Sequence, residues 1–157
     1  MTPAATFNPS LTLTVVFAAV LLLGLLTKFW LASRQVRHVA QHRASVPPAF
    51  ASTISPAAHQ KAADYTVAKV RFGLLETAVS AAVLLGWTLL GGLDALNQAL
   101  LGWLGGGMTQ QLALLAGFVL IGGLIELPLS LYQTFVIEQR FGFNKMTFRL
   151  WLGDLLK

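Results

Sequence analysis

The chain has 157 residues, of which 55% are hydrophobic and 11% are charged. An ordinary soluble domain carries about 25% charged residues, so the composition excludes a typical soluble enzyme and indicates that lipid surrounds much of the chain. There is no cysteine, which excludes disulfides, thiolate nucleophiles and thiolate metal ligands. The net charge of +5 would suit nucleic acid, but basic residues beside hydrophobic segments more often determine membrane topology. We therefore expect no nucleic-acid partner.

Three hydrophobic stretches are long enough to cross a bilayer, which takes about 20 apolar residues. The predicted spans cover about residues 10–31, 73–93 and 109–137. The first lacks the basic N-terminal region of a signal peptide, so we expect it to be retained. The third would be about 45 Å long as an α-helix, and it should tilt, kink at Pro128 or leave the bilayer before Ile137. The predicted fold class is an all-α integral membrane protein with three transmembrane helices.

The segments between the spans differ in charge. Residues 32–71 form a basic loop, in which Pro47 and Pro48 indicate a hinge and residues 57–71 a cytoplasmic amphipathic helix. Residues 94–108 indicate a short interfacial turn, and residues 138–157 form a tail. All 11 lysines and arginines follow the first or the third span, so the positive-inside rule places the N-terminus outside and the C-terminus in the cytoplasm. We expect the inner membrane of a bacterium.

Two histidines have the spacing of a zinc motif. His38 and His42 would share one helix face, as they do in His-Glu-x-x-His. Val39 stands where that motif needs a glutamate as the general base, and neighbouring arginines repel a cation. We therefore predict a solvated basic segment, with no metal ligand and no catalytic residue in this chain.

Glu126 lies inside the third hydrophobic stretch, where an ionisable side chain is costly. Two interpretations are open. Glu126 lines a functional cavity, or it has a structural role in which it pairs with a basic or amide side chain or is protonated. Glycines in the second and third spans would let the helices approach closely; they are Gly86, Gly91, Gly92, Gly117, Gly122 and Gly123.

Charged and aromatic residues alternate after the third span. Phe141 and Phe143 suit an interfacial aromatic belt, while Gly142 and Asn144 are typical turn residues. This segment, 141–145 (FGFNK), also carries a family resemblance together with 127–132 (LPLSLY) and 134–138 (TFVIE). Further matching residues precede the second span: Asp64, Tyr65, Lys69, Arg71 and Phe72. Over about residues 57–149 the chain resembles the membrane zinc metalloendopeptidases of the CAAX prenyl protease type.

The resemblance implies a protease with several transmembrane helices around a large chamber, which cleaves prenylated or related peptides near their C-termini. It implies a zinc ion held by His-Glu-x-x-His and a downstream glutamate, all C-terminal to Lys157. The chain would then be the N-terminal transmembrane part, inactive alone and without bound zinc. Its partners would be the bilayer, a C-terminal catalytic part and a peptide substrate. Five residues match or adjoin the motif and are assigned cavity-lining or structural roles: Glu126, Tyr132, Glu138, Asn144 and Lys145.

Two rival hypotheses belong to other classes of protein. The first is a small non-enzymatic membrane scaffold whose basic segments bind anionic lipid or a protein partner. The second is a small transporter that uses Glu126 and a helix broken at Pro128. Three spans would make such a transporter depend on oligomerisation, and no inverted repeat is visible, so we place it last.

Overall fold

The computed structural model describes residues 8–155. Within that range the chain forms five α-helices and no strand, so the prediction of an all-α fold is confirmed. The helices are α1 (Pro9–Gln41), α2 (Pro56–Thr88), α3 (Gly92–Leu104), α4 (Met108–Tyr132) and α5 (Phe148–Leu155). A short 3₁₀ helix, Pro48–Phe50, lies between α1 and α2, and a π-helical turn, Gln133–Glu138, directly continues α4.

Three of these elements are long and apolar enough to cross a membrane. They are α1, α2, and α4 together with its π-helical turn, with lengths of 33, 33 and 31 residues. The prediction of three membrane-crossing helices is therefore confirmed. α1 packs against α2, α3 packs against α4, and α2 also contacts α3 and the π-helical turn.

Both long N-terminal helices extend beyond their predicted spans. α1 starts at Pro9 after Asn8, whose side chain accepts hydrogen bonds from the backbone N–H groups of Ser10 and Leu11. It continues to Gln41, so the first part of the predicted basic loop is helical. α2 begins after Ser55, which caps it in the same manner. It then runs without a break into the second span, because no proline interrupts it after Pro56.

The predicted interfacial turn after the second span is instead the helix α3. α2 ends at Thr88, and Gly91, with a φ of +78°, directly precedes α3. A Cβ on Gly92 would lie 2.7 Å from the carbonyl oxygen of Gly86. Leu93, Leu96 and Leu100 then recur at helical spacing. The flanking glycines made this segment resemble a turn, although its apolar periodicity is that of a helix.

The interface between α3 and α4 contains a buried polar contact. Gln110 is 5% exposed and donates a hydrogen bond of 2.6 Å from its side-chain amide to Asn97 Oδ1. Gly117 on α4 is close to Leu96, since a Cβ added there would lie 3.4 Å from that side chain. The hydrogen bond satisfies the buried amide and fixes the two helices relative to each other.

Pro128 does not end α4, which remains helical to Tyr132 before the hydrogen-bond pattern changes to that of a π-helix at Gln133. π-helical turns of this kind occur often at functional sites. The buried side chains in residues 8–155 lie on α2, α4 and this turn, and α1 has none. α2 is therefore the central helix, since it packs on α1 and contacts α3 and the π-helical turn, and its side chains also meet those of α4.

Candidate functional site

Two aromatic contacts join α2 to α4 at opposite ends of the pair. Trp87 and Phe118 meet edge to face, with 5.2 Å between ring centroids. Phe72 and Tyr132 stack at 5.3 Å with an angle of 27° between their planes. Phe72 is 7% exposed. These contacts hold the two helices at a fixed separation.

A cavity of about 460 Å³ lies between the helices near the Trp87 contact. Its wall is apolar apart from Ser80 on α2 and Glu126 on α4. Gly122 and Gly123 also line it, and an added Cβ on either glycine would have no neighbour within 4 Å among the described residues. Neither glycine makes a close contact with α2, and the expectation that they let helices approach closely stays a prediction.

Glu126 borders a second pocket, of about 290 Å³, on another side of α4. Ser130, Met146, Trp151 and Asp154 also line this pocket. The indole N–H of Trp151 donates to Ser130 Oγ at 3.4 Å, which holds α5 beside α4. Within residues 8–155 no basic side chain lies within ion-pair distance of Glu126. Glu126 thus borders two pockets, and its role stays a prediction.

The segment after α4 closes into a turn around the carbonyl oxygen of Glu138. This oxygen accepts the backbone N–H groups of Phe143 and Asn144, at 2.9 and 3.2 Å. The side chain of Asn144 accepts the backbone N–H of Met146 at 2.7 Å. Gly142 has a φ of +71°, which confirms that it is a turn residue. The structure thus brings two of the predicted site residues, Glu138 and Asn144, together through the backbone.

The aromatic rings of this turn pack against α2. Tyr65 lies 5.5 Å from Phe141 and 4.6 Å from Phe143, between ring centroids. Lys61 Nζ lies 5.6 Å from the centre of the Phe143 ring. An interfacial belt therefore describes these rings incompletely, since they also attach the turn to α2. Lys145, beside them in sequence, is exposed.

An ion pair links the connection between α1 and α2 to α2 itself. Arg43 donates two hydrogen bonds of 2.7 Å to the carboxylate of Asp64, 21 residues away. The hydrogen bond from Arg43 lowers the pKa of Asp64, desolvation raises it in part, and the positive charges of Arg43 and Arg140 lower it further. The same hydrogen bond raises the pKa of Arg43.

The described residues do not fit a zinc ion. His38 and His42 lie 4.3 Å apart between ring centroids, but His42 Nδ1 is 2.8 Å from the carbonyl oxygen of His38. Across residues 8–155 there is no group of three or more histidine, cysteine, aspartate or glutamate side chains that could hold a metal.

The sequence did not predict several of the contacts that form the site. Phe72 appeared only as a residue of the family resemblance, and the contact of Trp151 with Ser130 gave no local signal. The stacking of Phe72 on Tyr132 joins residues far apart in the chain. The apolar spacing of α2 could have placed Phe72 on a buried face, but its partner depends on the tertiary fold.

Residues 35–157 match a family model for the N-terminal region of CAAX prenyl proteases, which is described as having five membrane helices. A CAAX prenyl protease 1 homolog of Oryza sativa subsp. japonica is 30% identical over 141 residues, covering 76% of this chain and 31% of the relative. A CAAX prenyl protease 1 homolog of Homo sapiens is 32% identical over 156 residues, covering 90% of this chain and 32% of the relative. The crystal structure of S. mikatae Ste24p superposes with a TM-score of 0.78 and 25% identity, covering 90% of this chain and 34% of that one.

The fold defines a helical membrane protein with three helices long enough to span a bilayer. The chain belongs to the CAAX prenyl protease family and corresponds to its N-terminal membrane region. It spans about a third of the length of the curated relatives described above. Those relatives are eukaryotic, so the bacterial inner membrane stays a prediction.

Proposed function

We propose that this chain is the N-terminal transmembrane part of a CAAX-protease-like zinc metalloendopeptidase and forms part of the wall of its substrate chamber. The observation that carries the proposal is the cavity between α2 and α4, in which Glu126 and Ser80 are polar groups in an apolar wall. Zinc, the general base and the peptide-cleaving chemistry belong, under this proposal, to a C-terminal catalytic part. The chain alone is inactive.

The cavity residues suit the binding of an extended peptide. A peptide inside a membrane chamber must have its backbone N–H and C=O groups satisfied, because no bulk water does so. The carboxylate of Glu126 accepts hydrogen bonds, and the hydroxyl of Ser80 both donates and accepts them. The apolar wall around them accommodates an apolar side chain or a lipid modification of the peptide. The aromatic contacts at the two ends of the pair keep this space open.

The test is an endopeptidase assay on the protein expressed from its complete coding sequence. We expect activity that a zinc chelator removes, and a Glu126→Gln variant with kcat/KM reduced about tenfold, which corresponds to about 1.4 kcal/mol of lost stabilisation. Glu76→Gln is the matched control, because Glu76 is the other glutamate of α2 and α4 and lines a different pocket. Its activity should stay near that of the wild type.

Two results would contradict the proposal. A complete protein without chelator-sensitive peptidase activity would favour a non-enzymatic membrane scaffold. Equal losses in Glu126→Gln and Glu76→Gln would remove the specific role of the cavity, while leaving membership of the protease family intact.

The orientation of the chain is part of the same proposal. The basic segments face the cytoplasm, with the N-terminus outside. Because the chain has no native cysteine, single cysteines report the side cleanly. A cysteine at Ala51 should react with a membrane-impermeant reagent only from the cytoplasmic side, and one at Gly106 only from outside. The reverse labelling would invert the topology.

A further inference from the structure

A second groove between α2 and α4 lies at the end of the pair opposite the Trp87 contact. Its volume is about 590 Å³, and it is bordered by α2, the end of α4 and the π-helical turn. Tyr132 and Leu75 form part of its wall and are 50% and 51% exposed. Among the described residues the groove is therefore open, and it lies between helices long enough to span a membrane.

The groove is positively charged at one end and apolar along its length. Arg71 lies one helical turn before Leu75 on α2, and Arg140 lies four residues after Val136 on the other wall. Both arginines are thus at the end away from the span, and the remaining walls are apolar. The groove is lined by no aspartate or glutamate, and within residues 8–155 neither arginine forms an ion pair with a carboxylate.

We infer that this groove binds an anionic phospholipid, with the phosphate headgroup between Arg71 and Arg140 and an acyl chain along the apolar wall. Guanidinium groups bind phosphate oxygens through paired N–H donors. A membrane surface attracts basic residues to anionic lipid. An anionic phospholipid is complementary to the groove, because its negative headgroup meets the arginines and its hydrocarbon meets the apolar wall.

The contacts in the groove support one lipid molecule held by both helices. The stacked pair of Phe72 and Tyr132 forms the part of the wall that joins α2 to α4. Arg140 lies over the ring of the following Phe141, with 5.8 Å between the guanidinium carbon and the ring centre, which restricts its position. A lipid in the groove therefore contacts the residues that attach the two helices to each other.

The experiment measures lipid retention by the protein expressed from its complete coding sequence. The protein is placed in nanodiscs of phosphatidylcholine with fluorescent phosphatidylglycerol, and the affinity is measured by displacement with unlabelled lipid. We expect phosphatidylglycerol to bind more tightly than phosphatidylcholine. Arg71→Gln and Arg140→Gln should each weaken it roughly fivefold. Arg34→Gln is the matched control, since Arg34 carries the same charge on α1 and lies over Trp30.

A third variant separates the groove from general surface charge. Leu75→Trp fills the groove and keeps both arginines, so it should reduce phosphatidylglycerol retention while the thermal unfolding temperature stays near that of the wild type. Equal losses in Arg34→Gln and Arg71→Gln, or full retention in Leu75→Trp, would overturn the inference in favour of diffuse attraction. Displacement of the lipid by millimolar inorganic phosphate would overturn it in favour of a site for a free anion.

Discussion

The pair formed by α2 and α4 is held by several contacts at its basic end and is open in its middle. At the basic end, an ion pair of Arg43 with Asp64 and two ring contacts of Tyr65 hold the segments together. In the middle, a cavity of about 460 Å³ separates the helices. Gly122 and Gly123 have no neighbour within 4 Å of an added Cβ there, among the described residues.

This difference follows from the physics of helices in lipid. Apolar helices gain no hydrophobic driving force from meeting each other in a bilayer, because lipid tails are as apolar as their side chains. Close packing and polar contacts therefore determine their association. When such contacts lie at the ends, the middle can remain open without loss of the fold. Changes at the basic end should affect stability, whereas changes in the cavity should affect activity.

The largest expected effect on stability is that of Phe72→Ala. This side chain is 7% exposed and stacks on Tyr132, so the variant loses the contact and leaves a void. A loss of about 3 kcal/mol in the free energy of unfolding is expected. The measurement is unfolding by sodium dodecyl sulfate in mixed micelles, followed by helical circular dichroism.

The matched control for this variant is Phe29→Ala on α1. Phe29 is 41% exposed, so its removal should change the free energy of unfolding far less. Equal losses for the two variants would break the comparison, because they would mean that the basic end carries no special share of the stability.

A smaller loss is expected for Gly142→Ala in the turn after α4. Its φ of +71° is unfavourable for a side chain, and the new Cβ would lie 3.3 Å from Lys61 Nζ. The left-handed conformation costs a residue with a Cβ about 1–2 kcal/mol, measured by the same unfolding assay. Gly102→Ala in α3 is the control of opposite sign, since helix propensity favours alanine by about 1 kcal/mol and nothing within 4 Å meets the new methyl.

The residues of this turn are among the features that the sequence predicts. Gly142 and Asn144 were identified because the turn depends on contacts a few residues apart. Glu126 was identified because a carboxylate in an apolar stretch is costly wherever its neighbours lie. The long apolar stretches predicted the spans for the same reason, since length and hydropathy are local properties.

Other features depend on residues brought together by the fold. Arg43 and Asp64 are 21 residues apart, and nothing in either local segment selects the other as its partner. The role of Gly122 could not be decided, because a small residue permits either close packing or an open cavity. α3 was interpreted as a turn since its flanking glycines outweighed a short apolar period. Composition alone could not decide these cases.

The smallest expected effect is that of Asp64→Asn on stability, and it depends on pH. The pKa of Asp64 is lowered by its hydrogen bond with Arg43 and by the charges of Arg43 and Arg140. A lowered pKa in the folded state means that the ionised carboxylate stabilises the protein above the ordinary aspartate pKa of about 4. That contribution is lost as the pH falls through the lowered value. Asp64→Asn should therefore be less stable than the wild type at neutral pH and should lose less on acidification.

The measurement is the free energy of unfolding from about pH 6 down through the ordinary aspartate pKa, at low and high salt. Asp94→Asn is the matched control at the other end of the pair, where the carboxylate accepts a hydrogen bond of 3.5 Å from the neutral Gln98 amide. Because Arg43 and Asp64 are both nearly half exposed, salt should weaken their contribution. If Asp64→Asn and Asp94→Asn had the same pH dependence, the ion pair would add nothing to the basic end, and its stability would come from the aromatic contacts and the turn.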